Sequence, residues 1–279
     1  MTEARPFPES LLTFAGEQTA IAAQKAKALK AEAEEAAHIY KIWEDITSFL
    51  SRGWLLHVLA LIDKEASLLK KMRADNHPAI PSLEEIYRTT KEQAEEFKSY
   101  RFPAYLEEAC RAANLSLDKD SRHPHYKFER GFFQLDVDDH KKTARLSDNE
   151  TRLCEFPADI EAIIEAVQRE RKRVFERPFD AKNFLKKLRS QYLAVLKNEK
   201  LSDGSSIPIR HITRRLGKNE KGVRTDEFLI DLSRLVEQGA TEIDGRQFEL
   251  QQTKNTEQGM LLYGAAGRGY IGFILFKKV

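Results

Sequence analysis

Carboxylates and histidines gather near the middle of the chain, at a spacing that could hold a divalent metal ion. Asp136 and Asp138 alternate along a β-rich stretch, so they would share one face of a strand. Asp139 and His140 follow directly. Two carboxylates and a histidine could bind the divalent ion that a nuclease needs. Acidic residues at a strand end and turn are also ordinary. The sequence therefore favours a structural turn and keeps a metal-dependent nuclease on Asp136 and Asp138 as an alternative.

The other candidate chemistry in the sequence has weaker patterns. His123 and His125 are too close together to chelate one ion comfortably, and the distant cysteines do not stand at zinc-ligand spacing from them. Cys110 and Cys154 lack the signature of a nucleophile and are too few for a disulfide framework, which indicates idle thiols in a reducing compartment. The glycine-rich run 264–269 lacks the Gly-Lys-Ser/Thr ending of a phosphate loop and predicts a hairpin loop. We therefore expect no catalytic residue, no bound metal and no cofactor.

Basic residues are concentrated in one block, although the net charge of the chain is only +2. Residues 169–224 contain 17 Lys or Arg against 6 Asp or Glu, a charge of +11, whereas residues 1–168 carry −7 and residues 225–279 carry −2. Such a block is typical of a surface that faces a polyanion, and a solvated helical face is the competing interpretation. The candidate DNA contacts are Lys186, Lys187, Arg210, Arg214, Arg215, Lys218, Lys221, Arg224 and Arg268.

A long N-terminal helix is predicted because no proline interrupts residues 9–50. Apolar and small residues there alternate by three and four positions, which is the spacing of a coiled-coil seam. The seam consists of Leu12, Ala15, Thr19, Ala22, Ala26, Leu29, Ala33, Ala36, Tyr40, Trp43, Thr47 and Leu50. Residues 51–53 predict the end of this helix, and residues 54–72 predict a second helix packed against it. Alanines bury little apolar area, so we expect residues 1–75 to associate with another chain.

The rest of the chain predicts a small sheet followed by a winged-helix-like domain. Residues 126–137 and 143–146 are β-rich and flank a turn at 138–142. Later elements follow the order helix, short strand, helix, helix, hairpin, with Asp180 as one helix cap and Gly217 as one helix end. The predicted fold is α+β and mostly helical. Its domains are an N-terminal coiled-coil hairpin (1–114), a small β-sheet (115–156) and a basic winged-helix-like domain (157–279).

Sequence-specific reading of DNA is not expected from this domain. The helix over residues 225–238 is the one that would enter a major groove, yet it carries Asp226, Glu227, Asp231 and Glu237 against a single basic residue, Arg234. If these carboxylates are exposed, as the sequence suggests, they would face phosphates and repel them. Binding should therefore depend on the phosphate backbone alone.

These features together predict a non-catalytic subunit that holds double-stranded DNA without strong sequence preference. The N-terminal helices would assemble it with other protein subunits or with itself. The layout of a seam-bearing helix and a basic winged helix is similar to accessory subunits of chromosome-maintenance or phage-defence ATPase machines. A pure protein scaffold or adaptor of such a machine is the first alternative, and the nuclease is the second. No signal-peptide pattern and no apolar run of about 18 residues is present, so we expect a cytoplasmic protein without a membrane partner.

Overall fold

The chain forms two compact units, Met1–Ala94 and Glu95–Val279. The computed structural model describes residues 8–96, 99–219, 224–239, 241–264 and 269–278. These residues are mostly helical, with one long N-terminal helix and two small antiparallel sheets. The predicted α+β class is confirmed at that level, and the domain boundaries after residues 114 and 156 stay predictions.

Helices build the described part of the first unit. They are α1 (Glu9–Ser51), α2 (Leu55–Lys64), α3 (Ala66–Ala74) and α4 (Ile80–Glu96). The chain leaves α1 through Gly53, whose φ of 72° is a left-handed conformation that glycine adopts without strain. The backbone N–H of Trp54 then donates to the carbonyl oxygen of Phe49 at 2.9 Å. The predicted helix end at 51–53 is confirmed, and α2 packs on α1 as expected. The single helix predicted over 54–72 is instead two helices, α2 and α3, divided at Glu65.

The face of α1 that packs inside the first unit is not the predicted seam. Ile42 and Ile46 are the buried residues of α1, and both stand next to a seam position rather than on one. Tyr40, a seam residue, is 69% exposed. Trp43 is a seam residue that does pack against this cluster, so the packed face lies beside the seam and overlaps it at that position. The buried cluster contains Ile42, Ile46, Val58, Ile62, Leu69, Met72, Ile80 and Leu83.

A four-stranded antiparallel sheet forms the middle of the chain. Its strands are β1 (His125–Phe128), β2 (Phe133–Asp138), β3 (Thr143–Ser147) and β4 (Arg152–Pro157), in that spatial order. Side chains of β2 alternate between buried and half-buried, as expected where one face of a strand lies on a core. A short 3-10 turn (Ser99–Arg101) and α5 (Phe102–Ala112) precede the sheet. The turn at 138–142 and the strand at 143–146 are confirmed. The predicted β-rich segment 126–137 forms two strands, β1 and β2, joined by a turn at 129–132, and β4 was not predicted.

The remaining strands form a second sheet, and four further helices belong to the same part of the chain. The helices are α6 (Ile160–Phe175), α7 (Ala181–Glu199), α8 (Ile209–Asn219) and α9 (Thr225–Gln238). The strands are β5 (Ile207–Pro208), β6 (Glu242–Ile243), β7 (Arg246–Thr253), β8 (Met260–Leu261) and β9 (Tyr270–Lys278). Every pairing is antiparallel, in the order β5-β9-β7-β6, with β8 added to β9. The strands β7 and β9 cover the two late strands predicted at 247–251 and 270–276. The Asp180 cap is also confirmed, since its side chain accepts from the N–H of Asn183 at 3.0 Å.

The predicted helix end at Gly217 is wrong. Helix α8 continues through this residue to Asn219. A glycine at an exposed helical position costs about 1 kcal/mol relative to alanine, which a helix packed into a core tolerates. The neighbouring side chains Ile212 and Leu216 are buried in the core of the second unit and hold α8 in place. Tertiary packing therefore overrides the local signal of the glycine.

Candidate functional site

Part of the basic block is turned inward, where it neutralises carboxylates of α9. The Arg173 guanidinium donates to Glu227 at 2.6 Å, to Glu170 at 2.8 Å, and to Asp226. The Arg177 guanidinium lies 2.5 Å from the Asp231 carboxylate. These arginines therefore fasten the end of α6 to α9.

The expected exposure of the α9 carboxylates is wrong for Asp226 and Asp231. Asp226 is only 1% exposed, and Asp231 is buried as well. The pKa of the Asp231 carboxyl is raised, because the effect of burial is larger than the opposite effect of the nearby Arg177. Most of α9 is covered, so this helix cannot enter a DNA groove. Its buried residues are Asp226, Phe228, Leu229, Ile230, Asp231, Leu232, Ser233 and Leu235.

Another part of the basic block converges on a groove between α7 and α8, which we call the α7–α8 groove. Its volume is about 280 Å³. Arg214, Arg215 and Lys218 line it together with His211, because residues spaced by three, four and seven positions share one face of a helix. From α7 the groove receives Val195, Asn198 and Glu199.

The cations of the α7–α8 groove differ in whether other side chains of the chain already bind them. The Nε atom of Arg215 donates to the Oε1 atom of Gln191 at 3.0 Å, which fixes the orientation of this guanidinium. His211 Nδ1 lies 2.9 Å from Glu199 Oε1, so the acidic side chain among the described lining residues already has a partner. Arg214 and Lys218 are exposed, and within the described part of the chain neither has an ion-pair partner. Their charges are therefore available to an anion.

The other predicted DNA contacts do not join the groove as a group. Lys186 and Lys187 are exposed on α7, and Lys187 stands one helical turn before Gln191 on the side that faces α8. Arg210 is held inside the second unit, with its guanidinium 2.8 Å from the Glu150 carboxylate and 2.8 Å from the carbonyl oxygen of Gly259. Arg224 places its Nε atom 3.5 Å from Asp226. Lys221 and Arg268 lie outside the described residues.

Sequence reasoning missed the polar neighbours of these cations. His211, Gln191 and Asn198 lie in or beside the groove but were not singled out. The signal for His211 was present in the sequence, because it stands three and four residues before Arg214 and Arg215 on a predicted helix. Gln191 and Asn198 could be found only once the packing of α7 against α8 was known.

A second concave surface of about 500 Å³ lies beside the first sheet and contains the histidines and aspartates of the nuclease alternative. His125 Nδ1 is 2.6 Å from Asp136 Oδ1, since these residues are directly opposite on β1 and β2. His123 bridges two partners, with Nε2 at 2.8 Å from Asp139 Oδ2 and Nδ1 at 3.0 Å from the Tyr126 hydroxyl. These side chains therefore form two separate pairs, His125 with Asp136 and His123 with Asp139.

Asp138 stabilises the turn after β2. One of its carboxylate oxygens accepts from the backbone N–H of Lys141 at 3.0 Å, and this hydrogen bond lowers the pKa of the Asp138 carboxyl. Asp136 and Asp138 lie on the same face of β2, as predicted. No three His, Cys, Asp or Glu side chains among the described residues are grouped so that they could hold a metal ion. The nuclease alternative stays an untested prediction.

Both cysteines are free thiols. Cys110 is buried, and burial raises the pKa of its thiol to about 11, so the thiol is protonated at neutral pH. Burial also raises the pKa of Cys154.

Comparison with known proteins gives no relative from which a function could be transferred. No protein-family model, curated protein or solved structure matches this chain. Among the described helices, none combines the length and the apolar composition needed to cross a membrane.

Proposed function

We propose that the protein is a non-catalytic assembly subunit that binds double-stranded DNA through phosphates in the α7–α8 groove. The observation that carries this proposal is the convergence of Arg214, Arg215 and Lys218 at one groove. In contrast, Arg173 and Arg177 of the same basic block form ion pairs with carboxylates of α9. The groove is therefore a place where basic side chains of the block gather on one concave surface, whereas other exposed lysines of the block, such as Lys172 and Lys182, lie outside it.

The arrangement of the second unit supports a winged-helix-like domain as the carrier of this groove. The elements α7, β5, α8, α9, β7 and β9 follow one another in the order expected for that fold. The short strand β5 pairs with the last strand, β9, which in turn pairs with β7. In this proposal α9 supports the core and α8 presents the cations, which differs from the use of the third helix for base reading.

Binding through this groove would be governed by counterion release. Each phosphate that a cation neutralises on duplex DNA contributes about 0.9 to the slope of log affinity against log salt concentration, so three contacts predict a slope of about −3. Lys and Arg contacts to phosphates carry no base information. Three contacts give weak affinity, and assembly of several subunits on one duplex would strengthen it through effective concentration. The N-terminal helices are the proposed means of assembly.

The test compares two double charge reversals in the full chain. Arg214→Glu/Arg215→Glu alters the groove, and Lys172→Glu/Lys182→Glu makes the same change of net charge at exposed positions outside it. We expect the groove variant to lose affinity for all duplex sequences alike and to flatten the salt slope by about 2 units, whereas the control changes little. Thermal unfolding of each variant checks that the fold is kept.

Two results would refute this function. One is absence of duplex binding by the full chain at low salt, and the other is an equal loss of affinity in both variants. Either result would leave the groove to an acidic protein partner, and the scaffold function would then account better for the basic surface.

A further inference from the structure

The first part of α1 extends without support from the rest of its unit. Every residue from 8 to 34 is exposed, a length of about 40 Å at 1.5 Å per residue. Contacts with the following helices begin at Glu35, whose carboxylate lies 2.6 Å from the Lys71 ammonium of α3. Most helical stability in proteins comes from packing of an apolar face, and this stretch has no such packing within its own unit. A partner helix would supply it.

Within the unsupported segment, residues 8–34, two seam positions carry large, exposed apolar side chains. Leu12 is 63% exposed and Leu29 is 55% exposed. Between them the seam positions are Ala15, Thr19, Ala22 and Ala26, and small side chains at such positions let a second helix approach closely. The segment has the features of one half of a helix pair.

We infer that this segment pairs with the same segment of a second copy in antiparallel orientation, with Leu12 of one copy opposite Leu29 of the other. The inference rests on the assembly role proposed above for the N-terminal helices and assigns its partner. In this register Ala15 faces Ala26, and Thr19 faces Ala22. Each of these three residue pairs occurs twice in the dimer, once with the two copies exchanged. The dimer therefore has the two-fold symmetry of most homodimers.

Charged residues beside the seam select the antiparallel orientation. In the antiparallel register Glu9 of each copy flanks Lys30 of the other, which gives two attractive pairs. A parallel pair in register would instead place Lys25 of one copy beside Lys30 of the other, which repels. Within one copy the Lys30 ammonium lies 3.9 Å from Glu34, and both side chains are largely exposed, so this loose contact is easily exchanged.

Disulfide formation between two single-cysteine variants tests both pairing and orientation. The full-length variants Leu12→Cys and Leu29→Cys are oxidised separately and as a mixture. We expect an interchain disulfide in the mixture, with twice the 32.1 kDa chain mass, and peptide mapping should join residue 12 to residue 29. Neither variant alone should form this product. The unaltered chain is the background control for Cys110 and Cys154.

Charge exchange gives a second readout that does not depend on cysteine. Glu9→Lys should lower the dimer fraction in sedimentation, and Glu9→Lys/Lys30→Glu should restore it because the attractive pairs are re-formed with reversed signs. Both variants carry the same loss of a favourable acidic residue at the start of α1, so restoration separates pairing from helix stability. Lys27→Glu, an exposed change at a position that flanks no charged residue of the partner in this register, is the matched control and should leave the dimer fraction unchanged.

Three outcomes would overturn the inference: a monomer at all concentrations, a disulfide product from either cysteine variant alone, or no restoration in the double charge exchange. Duplex binding is measured separately on the same samples. A monomer that still binds DNA would refute only the proposed self-pairing. A dimer that does not bind DNA would refute only the proposed function of the α7–α8 groove.

Discussion

Breaking the contacts of Arg173 should destabilise the second unit while leaving the α7–α8 groove chemically unchanged. Arg173 connects the end of α6 to the first turn of α9 through Asp226 and Glu227. In Arg173→Met the Asp226 carboxylate, 1% exposed, keeps its burial and loses its main cation. Methionine retains the apolar packing of the arginine stem, so the change removes mainly charge and hydrogen bonds.

The size of the effect follows from what remains around Asp226. Removing one partner of a buried ion pair costs about 3–5 kcal/mol because the other charge stays buried. Asp226 still accepts from the N–H of Glu227 at 2.8 Å and stays 3.5 Å from the Arg224 Nε atom. The Arg173 side chain is itself 24% exposed. These features favour the lower end, about 3 kcal/mol, which for a unit of this size lowers Tm by about 6–12 °C.

Calorimetry on the full chain measures this shift, and hydrogen exchange of the α9 amides assigns it to the second unit. Arg169→Met is the matched control, because Arg169 lies on the same helix, is 60% exposed, and approaches Glu170 only at 3.4 Å. Glu170 is buried but keeps its 2.8 Å hydrogen bond from Arg173 in this variant, so losing the long contact with the exposed Arg169 should cost about 1 kcal/mol or less. Equal shifts in the two variants, or none with Arg173→Met, would refute the reasoning that a buried network holds α9 against α6. Duplex affinity, measured well below Tm, should match the unaltered chain.

Three further changes probe the aspartates of the second unit. Asp231→Lys should destabilise the fold by about 3 kcal/mol or more, measured by urea unfolding, because it places an ammonium beside the Arg177 guanidinium at a buried position. Asp203→Asn should cost about 2 kcal/mol at pH 6 but progressively less toward pH 3. The hydrogen bond from Arg189 lowers the pKa of Asp203 in the folded chain, so its stabilisation is lost as pH falls through that lowered pKa. Asp136→Asn/Asp138→Asn should leave duplex binding unchanged in gel-shift titrations with Mg²⁺.

Each of these expectations has a result that would contradict it. Tighter duplex binding by a stable Asp231→Lys variant would mean that α9 faces the nucleic acid after all. If Asp203→Asn changed the free energy of unfolding by the same amount at pH 6 and at pH 3, the ion pair with Arg189 would not be the cause of that change. A Mg²⁺-dependent cleavage that disappears in the double Asn variant would establish the nuclease alternative and contradict the non-catalytic assignment.

Features of this chain that depend on neighbouring residues could be predicted from the sequence. The extent of α1, its end near Gly53 and the Asp180 cap of α7 follow from local backbone preferences and from hydrogen bonds that span a few residues. The alternation in β2 and the turn stabilised by Asp138 are equally local. The uneven distribution of charge along the chain is a property of residue order and can be counted without the fold.

Only the tertiary structure decided which charges face solvent. Arg173 and Asp226 are 53 residues apart in sequence, and Arg210 and Glu150 are 60 apart, so no local pattern indicates that they pair. The same holds for the α7–α8 groove, whose polar wall comes from two helices. A charge exposed on an isolated helix becomes buried when another element packs over it. Whether that happens depends on long-range packing, because desolvating a charge is acceptable only where packing also supplies its partner.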